Sequence, residues 1–211
     1  MDDTSLLHVS RHPLVATKLA IIRARTTAPD EFRRNVQEIA MLLFTEASRI
    51  WSVSTISVET PLQVCGGSKL TRPIVIVPIL RAGQGMLDGI LQIAPEAAVG
   101  HIGLYRDEQT LRPVKYYARL PANIAAADTL LLDPMLATGH SACEALSILK
   151  SAGAERIQLM CIIACPEGIA QFRVMHPEVP IIAAAVDECL DHRGYIVPGL
   201  GDAGDRYFGT E

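Results

Sequence analysis

Five short apolar runs, separated by segments with helical spacing, constrain the fold of this chain more than any other feature. The runs are mostly continuous rather than alternating, which is the pattern of strands buried on both faces of a parallel sheet. The alternation of strand and helix predicts an α/β fold with a central parallel sheet flanked by helices. The predicted strands are Ile74–Leu80, Val99–Tyr105, Thr129–Leu132, Ile157–Ala164 and Ile181–Val186, and the predicted helices between them are Met86–Ile93, Ser141–Ser151 and Gly168–Met175.

Two further segments complete the predicted architecture. From Glu31 to Ile50 apolar residues recur at spacings of three and four, which predicts an amphipathic helix with Asp30 as its N-cap. A short arm containing His12 and Pro13 precedes this helix, and Val114–Leu120 is a candidate hairpin strand. The sequence contains no evident repeat or linker, so we predict one domain over residues 1–211.

Composition excludes several classes of protein. The 211 residues are 49% hydrophobic, and 19 Lys and Arg against 23 Asp and Glu leave a formal net charge of −4. This balance excludes a disordered chain and offers no overall electrostatic attraction for nucleic acid or a membrane surface. The acidic start does not suit a signal peptide, and the apolar runs fall short of the roughly 20 residues that a membrane helix needs. Five cysteines, mostly in apolar runs, indicate reduced, buried thiols, so we expect a cytoplasmic protein.

The loop after the strand Thr129–Leu132 carries the strongest functional signal, because ligands of open α/β sheets bind beyond the carboxyl ends of the strands. An acid ends the strand, a turn of small residues follows, and a serine begins the next helix. Backbone N–H groups and the Thr and Ser hydroxyls of such a turn can hold an anion, and the acid can accept from ribose hydroxyls. The loop consists of Asp133, Pro134, Met135, Leu136, Ala137, Thr138, Gly139, His140 and Ser141.

The segment after Ile74–Leu80 allows two interpretations. Gly83 and Gly85 follow a strand and precede a helix, and Asp107 lies where a ribose-binding acid is expected, so an NAD-dependent oxidoreductase is one alternative. Arg81, however, places a cation directly at the strand end. A cation there suits a free polyphosphate better than a dinucleotide turn, whose phosphates rely on backbone donors.

Three other motifs are less specific. The stretch Gly199–Gly204 matches G-x-G-x-x-G, but Pro198 interrupts any preceding strand, so it is interpreted as a loop that lets backbone approach a ligand. The roles of Asp202 and Asp205 within and beside it stay open between site residues and solvated turn residues. Two remaining sets are interpreted as structural: Cys161, Cys165, Cys189 and His192 as core or isolated residues rather than a metal site, and Gly66, Gly67, Ser68 and Lys69 as a turn.

Three segments together resemble the uracil phosphoribosyltransferase family. They are Pro78–Met86, Asp133–Gly139 and Gly201–Thr210, and the similarity covers nearly the whole chain. The resemblance implies the type I phosphoribosyltransferase fold, with an N-terminal helical arm and a β-hairpin hood. It also implies the reaction of pyrimidine salvage, in which the phosphoribosyl group of 5-phosphoribosyl 1-pyrophosphate (PRPP) is transferred to N1 of uracil, giving UMP and pyrophosphate.

The resemblance also implies roles for individual residues. The loop from Asp133 to Ser141 would bind the 5′-phosphate and ribose of PRPP, and Arg81 and Arg106 would contact the pyrophosphate. Asp202 would serve the PRPP–Mg²⁺ side and also contact uracil, which makes Arg106, Asp202 and Arg81 the implied catalytic residues. Backbone groups of Ile196, Gly201 and Ala203 would bind uracil. His140 stands where the family usually has a second glycine.

Cofactor and partners follow from the same resemblance. Mg²⁺ is expected to enter with PRPP and to lie near Asp202, GTP is a possible effector, and a homodimer or homotetramer is expected. No nucleic-acid or membrane partner is expected. A phosphoribosyltransferase-like regulator that binds RNA is the non-enzyme alternative, and it would need a basic face. Its only candidates, interpreted as a solvated helix edge, are Arg23, Arg25, Arg33 and Arg34.

Overall fold

The computed structural model describes residues 6–106 and 113–210, and of Arg106 the backbone alone. Its helices are α1 (Pro13–Arg23), α2 (Pro29–Ala47), α3 (Gln84–Ile90), α4 (His140–Ser151), α5 (Pro166–Met175) and α6 (Ala203–Phe208). Its strands are β1 (Leu7–Val9), β2 (Val53–Glu59), β3 (Val64–Leu70), β4 (Ile74–Leu80), β5 (Ala98–Val99), β6 (His101–Arg106), β7 (Pro113–Arg119), β8 (Asp128–Leu132), β9 (Met135–Leu136), β10 (Arg156–Ala164), β11 (Ile181–Val186), β12 (Cys189–Leu190) and β13 (Ile196–Val197).

The main sheet has the order β1-β11-β10-β8-β4-β6-β7, and only the edge pair β6–β7 is antiparallel among these neighbours. The predicted α/β fold with a central parallel sheet is therefore confirmed. Strands β4 and β11 have the predicted bounds, and β7, β8 and β10 differ from prediction by one residue at one or both ends. The predicted strand Val99–Tyr105 is divided at Gly100 into β5 and β6, which each pair with β4. The predicted hairpin strand is β7, which pairs with β6.

Both faces of the sheet are covered by apolar side chains. In β4, Ile74 and Ile76 belong to the core beneath α1, α2, α3 and α6, whereas Val75 and Val77 belong to the core beneath α4 and α5. Because successive strand residues point to opposite faces, a strand buried on both sides must be apolar throughout. The continuous apolar runs of the sequence have this physical cause.

The helical N-terminal region differs from prediction in its details. Helix α2 begins at Pro29 with Ala28 at the N-cap, so the assignment of Asp30 as the cap is wrong. Proline suits the first helical position because its missing N–H would have no partner there, and Asp30 then lies in the first turn, where its charge suits the helix dipole. The helix ends at Ala47, and a single 3₁₀ turn continues to Ile50. The short arm forms helix α1, with Pro13 in its first turn, which confirms the helical arm that the resemblance implies.

The sequence interpretation is wrong for part of the segment that forms the hairpin β2–β3. Residues 66–69, interpreted as a turn, lie within strand β3 and pair with β2 from Ser54 to Ser57. Nearly every residue of the two strands is exposed, so the hairpin lacks the one-sided apolar pattern by which strands are usually recognised.

The prediction of buried thiols holds for Cys143, Cys161 and Cys165, whereas Cys65 and Cys189 are exposed, and all five are free. Among residues 6–106 and 113–210, no helix combines the length and the apolar character needed to cross a membrane.

Candidate active site

A cavity of about 460 Å³ lies at the edge of the sheet where the parallel strands end. Its walls come from the loops after β4 and β8, from the turn between β12 and β13, and from the glycine-rich segment before α6. Of the predicted site residues it brings together Asp133, Pro134, Met135, Ala137, Ile196, Gly201, Asp202 and Ala203. Residues distant in sequence therefore meet at the place where open α/β sheets bind ligands.

A second cavity, of about 210 Å³, is formed by the loop between β8 and α4. Thr138, Gly139 and Ser141 line it, and Gly139 is the N-cap of α4 with a φ of 78°, a conformation that glycine adopts without strain. The N-terminus of this 12-residue helix presents unpaired N–H groups and the positive end of its dipole. The cavity is therefore suited to an anion such as phosphate.

The two cavities are neighbours that share Asp133, Met135, Ala137 and Gly194. A ligand with an anionic group at one end and a planar group at the other can therefore occupy both cavities. The middle of such a ligand would lie beside Asp133.

Hydrogen bonds from β10 and from the N-cap residue of α5 hold the loop between β8 and α4 in place. The carbonyl of Pro134 accepts from the N–H groups of Ile162 and Ile163, each at 3.0 Å. The thiol of Cys165 donates to the carbonyl of Ala137 at 3.1 Å, and its backbone N–H donates to Leu136 at 3.2 Å. The sequence places Cys165 directly after a predicted strand and favours a core position for it, and no sequence signal indicates that its thiol contacts this loop.

The carboxyl group of Asp133 is strongly affected by this environment. Burial of its carboxyl raises the pKa from 3.8 to about 6, and a hydrogen bond from the N–H of Met135 at 3.3 Å opposes the shift. The charged form is therefore disfavoured in the unliganded protein. A ligand that donates hydroxyl groups to this carboxylate would supply the hydrogen bonds that water supplies elsewhere.

This shift predicts a pH-dependent stability. The pKa of Asp133 is higher in the folded than in the unfolded state. Its contribution to the free energy of unfolding is therefore fully present below pH 3.8 and is lost as the pH rises through about 6. Asp133→Asn removes the buried charge, so we expect it to raise the free energy of unfolding at pH 7.5 by about 3 kcal/mol. Urea denaturation at pH 7.5 and at pH 4.5 measures this, and the gain should shrink at the lower pH. An equal gain at both pH values, or the same gain in the exposed control Glu188→Gln, would contradict it.

Asp202 lines the same cavity and is the N-cap of α6. Its Oδ1 accepts from the N–H of Asp205 at 2.9 Å, while the residue itself is exposed to the cavity. Gly201 before it has a φ of 82°, which allows the backbone to turn into the cavity. Asp205 itself accepts from the Thr210 hydroxyl at 2.7 Å, so it supports α6 rather than lining this cavity.

The remaining predicted residues are placed less directly. Arg81 is exposed and reaches towards α6, with Nη2 3.4 Å from Oδ1 of Asp205. Arg106 ends β6, its side chain lies outside the described atoms, and Asp107 lies outside the described residues. His140 is exposed at the start of α4 and is not among the described residues that line either cavity.

Comparison with known proteins decides the family. A sequence model of uracil phosphoribosyltransferase matches residues 9–210. Uracil phosphoribosyltransferase of Clostridium acetobutylicum is 52% identical over 201 residues, covering 95% of this chain and 96% of that protein. The enzyme of the same name from Alkaliphilus oremlandii is 51% identical over 208 residues, covering 98% and 100%.

The chain belongs to the uracil phosphoribosyltransferase family. A solved structure of an Aquifex aeolicus protein superposes with a TM-score of 0.92 at 36% identity, covering 97% of this chain and 99% of that one. Adenine phosphoribosyltransferase from Trypanosoma brucei, at 13% identity and a TM-score of 0.55, covers 89% of each chain and shares the fold. The type I phosphoribosyltransferase fold that the resemblance implied is thus confirmed.

Membership of the uracil phosphoribosyltransferase family removes the oxidoreductase alternative, and packing explains the glycines that suggested it. A Cβ on Gly83 would lie 2.7 Å from the carbonyl oxygen of Leu132, and one on Gly85 would lie 2.3 Å from the ring of Tyr207. Both glycines are therefore needed where α3 packs against its neighbours, and neither requires a dinucleotide.

The interpretation of the N-terminal arginines as a solvated helix edge is wrong for two of the four. Arg23 donates to Asp187 and to the carbonyl of Gly199, and Arg33 donates to the carbonyl of Tyr207 at 3.0 Å. These side chains tie the helical arm to the C-terminal part of the uracil phosphoribosyltransferase fold.

Proposed function

We propose that this protein catalyses the transfer of the 5-phosphoribosyl group from PRPP to N1 of uracil, giving UMP and pyrophosphate. The observation that carries the proposal is the pair of joined cavities at the carboxyl edge of the sheet, one suited to a phosphate and the other lined by a glycine-rich segment. Family membership supports the assignment of the substrates to these cavities.

The 5′-phosphate of PRPP is assigned to the smaller cavity. Thr138 and Ser141 offer hydroxyl donors, and the N–H groups at the start of α4 offer further donors to the same anion. Asp133, between the two cavities, is assigned to the ribose hydroxyls. The proposal includes every residue of the loop from Asp133 to Ser141, although His140 contributes its backbone alone.

Uracil is assigned to the larger cavity, where backbone groups of Ile196, Gly201 and Ala203 would bind its polar edge. The glycine-rich segment allows main-chain atoms to approach a flat base closely, because Gly201 carries no side chain into the cavity. The role of these groups is to hold N1 of uracil against C1′ of the ribose, which lowers the entropic part of the barrier.

Departure of pyrophosphate leaves positive charge on the ribose and places negative charge on the leaving group. Arg81 and Arg106, at the ends of β4 and β6, are proposed to stabilise that negative charge electrostatically. The ion pair of Arg81 with Asp205 is exposed and long, at 3.4 Å, so exchanging it for a phosphate contact has a small energetic cost.

Mg²⁺ is proposed to enter with PRPP. Asp202 fits this role because its carboxylate borders the cavity, and Mg²⁺ prefers oxygen ligands from one or two carboxylates together with substrate phosphates. When bound, the ion supplies charge neutralisation at the leaving group. The chain's own contribution is to place that carboxylate rigidly at the N-cap of α6, where the N–H of Asp205 orients it.

An assay of pyrophosphate release tests this function. The protein is incubated with PRPP and Mg²⁺ and with uracil, cytosine, orotate or hypoxanthine in turn, and we expect uracil to be clearly preferred. Calorimetric titrations provide a second readout, in which PRPP with Mg²⁺ should bind. Binding of RNA without turnover of any base would favour the regulator alternative.

We also propose that the protein forms a homodimer or homotetramer through the hairpin β2–β3. Within the described residues the hairpin pairs with no other strand, and it exposes large apolar side chains, including Leu62 at 95% and Val64 at 63%. Exposed apolar side chains on a projecting hairpin favour association. GTP as an effector is proposed on the family resemblance alone, and a cytoplasmic location is proposed on the cysteine pattern of the sequence.

The oligomer proposal predicts the effect of charge on the hairpin. The double variant Leu62→Asp/Val64→Lys should shift the protein towards monomer, because each charge would have to be desolvated in an interface. Light scattering after size-exclusion chromatography measures the mass of each variant. Val174→Lys, at a residue of α5 that is 78% exposed, is the control and should leave the mass unchanged. A double variant with the mass of the unaltered protein would show that the hairpin is not the interface.

A further inference from the structure

We propose that Arg23 and Asp187 are positioning residues for uracil, forming a partly buried ion pair that holds Gly199 by both of its backbone groups. The pair would set the shape of the segment from Ile196 to Gly201, to which uracil binding is assigned. This inference rests on the proposed function, and it adds two residues that lie outside the uracil cavity.

The ion pair joins the first helix to the end of β11, the last long strand of the chain. Arg23 is the last residue of α1, and Asp187 directly follows β11. The guanidinium donates from Nη1 to Oδ2 of Asp187 at 2.7 Å and from Nη2 to Oδ1 at 2.5 Å. This two-bond arrangement fixes the orientation of both side chains, and not only their distance.

The same two side chains also form hydrogen bonds with both backbone groups of Gly199. Arg23 Nη1 also donates to the carbonyl of Gly199 at 2.7 Å, and the N–H of Gly199 donates to Oδ2 of Asp187 at 2.8 Å. Gly199 is thus held through its donor and its acceptor, 176 residues from one partner and 12 residues from the other.

The charges of the pair depend on each other. Asp187 is 8% exposed, and its burial alone would raise its pKa, but the hydrogen bonds from Arg23 and from the N–H of Gly199 outweigh this and lower the pKa. Removing either charge would therefore leave the other poorly compensated in a buried place. The segment around Gly199 would then lose hydrogen bonds that fix its position, and it would be free to move.

A movement at Gly199 would reach the uracil cavity directly. Gly199 has a φ of 59°, and a Cβ built on it would lie 2.1 Å from the carbonyl oxygen of Ile196. The chain therefore folds tightly back on Ile196, and Gly201 follows only two residues later. Ile196 and Gly201 both line the cavity assigned to the base.

The anion cavity depends on different supports. The loop between β8 and α4 is held by Ile162, Ile163 and Cys165, and neither Arg23 nor Asp187 contacts it through a hydrogen bond among the described residues. Loss of the ion pair should consequently affect uracil far more than PRPP. A general loss of stability would not produce such a difference.

The test compares Asp187→Asn and Arg23→Lys with two controls that make the same changes at exposed neighbours, Glu188→Gln and Arg25→Lys. Steady-state kinetics give KM for uracil and kcat, and calorimetry gives the Kd of PRPP with Mg²⁺. Asp187→Asn should raise KM for uracil about tenfold or more, the equivalent of one charge-assisted hydrogen bond, with the Kd of PRPP changed less than twofold. Arg23→Lys keeps the charge and one donor, so its KM should lie between those of the unaltered protein and Asp187→Asn.

Each outcome of this comparison has a defined meaning. Equal changes in KM for uracil and in the Kd of PRPP, or unchanged values for both, would overturn the positioning role. A thermal melt of each variant verifies that it is folded at the assay temperature, and Arg23→Lys provides a measurement if Asp187→Asn does not fold. Failure of the unaltered protein to use uracil would instead contradict the proposed function.

Discussion

Asp202→Asn is expected to lower kcat by about two orders of magnitude while leaving the fold intact. The carboxylate borders the uracil cavity and is the group proposed to face Mg²⁺ and PRPP, so loss of its charge acts on the transition state. Asparagine caps helices as well as aspartate does, so the hydrogen bond to the N–H of Asp205 can be kept. Steady-state kinetics with uracil and saturating PRPP measure the effect, and a thermal melt verifies the fold.

A second variant separates charge from capping. Asp202→Ser also keeps a side-chain oxygen suited to the N-cap and removes the charge, so it should lose as much activity as Asp202→Asn. Asp205→Asn changes a carboxylate of the same helix that supports Thr210 and Arg81 rather than the cavity, and its effect on kcat should be much smaller. Near-normal turnover in both Asp202 variants would refute the role assigned to this residue.

Gly168→Ala is expected to weaken PRPP binding by about 100-fold, because a displacement of about 1 Å in a binding group has costs of this size. A Cβ on Gly168 would lie 2.3 Å from the carbonyl oxygen of Ala137 and 2.4 Å from that of Leu136. Both neighbours are backbone atoms of the anion-binding loop, so they cannot turn aside as a flexible side chain could. The loop must move, and the overpacking should also cost about 1–3 kcal/mol of stability.

The chain offers a matched control for this substitution. Gly66 lies in β3, and a Cβ built on it would have nothing within 4 Å. Gly66→Ala should therefore leave the Kd of PRPP with Mg²⁺, measured by calorimetry, unchanged. If Gly168→Ala bound PRPP as tightly as Gly66→Ala, the loop would not need its present position to hold the substrate.

The loop between β8 and α4 could be predicted from sequence as a candidate anion site because its chemistry is local. An acid at a strand end, a turn containing Thr138 and Gly139, and Ser141 at a helix start all lie within nine residues. The geometry agrees with this, since Gly139 has a positive φ and caps α4. The roles of Arg81 and Arg106 stay predictions, because Arg81 reaches towards α6 and the side chain of Arg106 lies outside the described atoms.

The supports of the site could not be predicted in this way. Cys165 appears in the sequence as one more apolar residue, yet its thiol contacts the carbonyl of Ala137. Arg23 appears as one of several scattered charges, yet it pairs with Asp187 from the far end of the chain. Each contact joins elements that are brought together only when the sheet is complete, so no local spacing records them.

The sequence alone determined the fold class and the chemistry of the strand ends. Strands buried on both faces must be continuously apolar, and that requirement is visible in every run from Ile74 to Val186. Only the tertiary structure decided which polar groups meet. It placed Asp202 and Asp133 in the walls of one cavity, and it joined Arg23 and Asp187 to Gly199 by hydrogen bonds. Periodicity depends on neighbours along the chain, whereas an active site depends on distances between residues far apart in it.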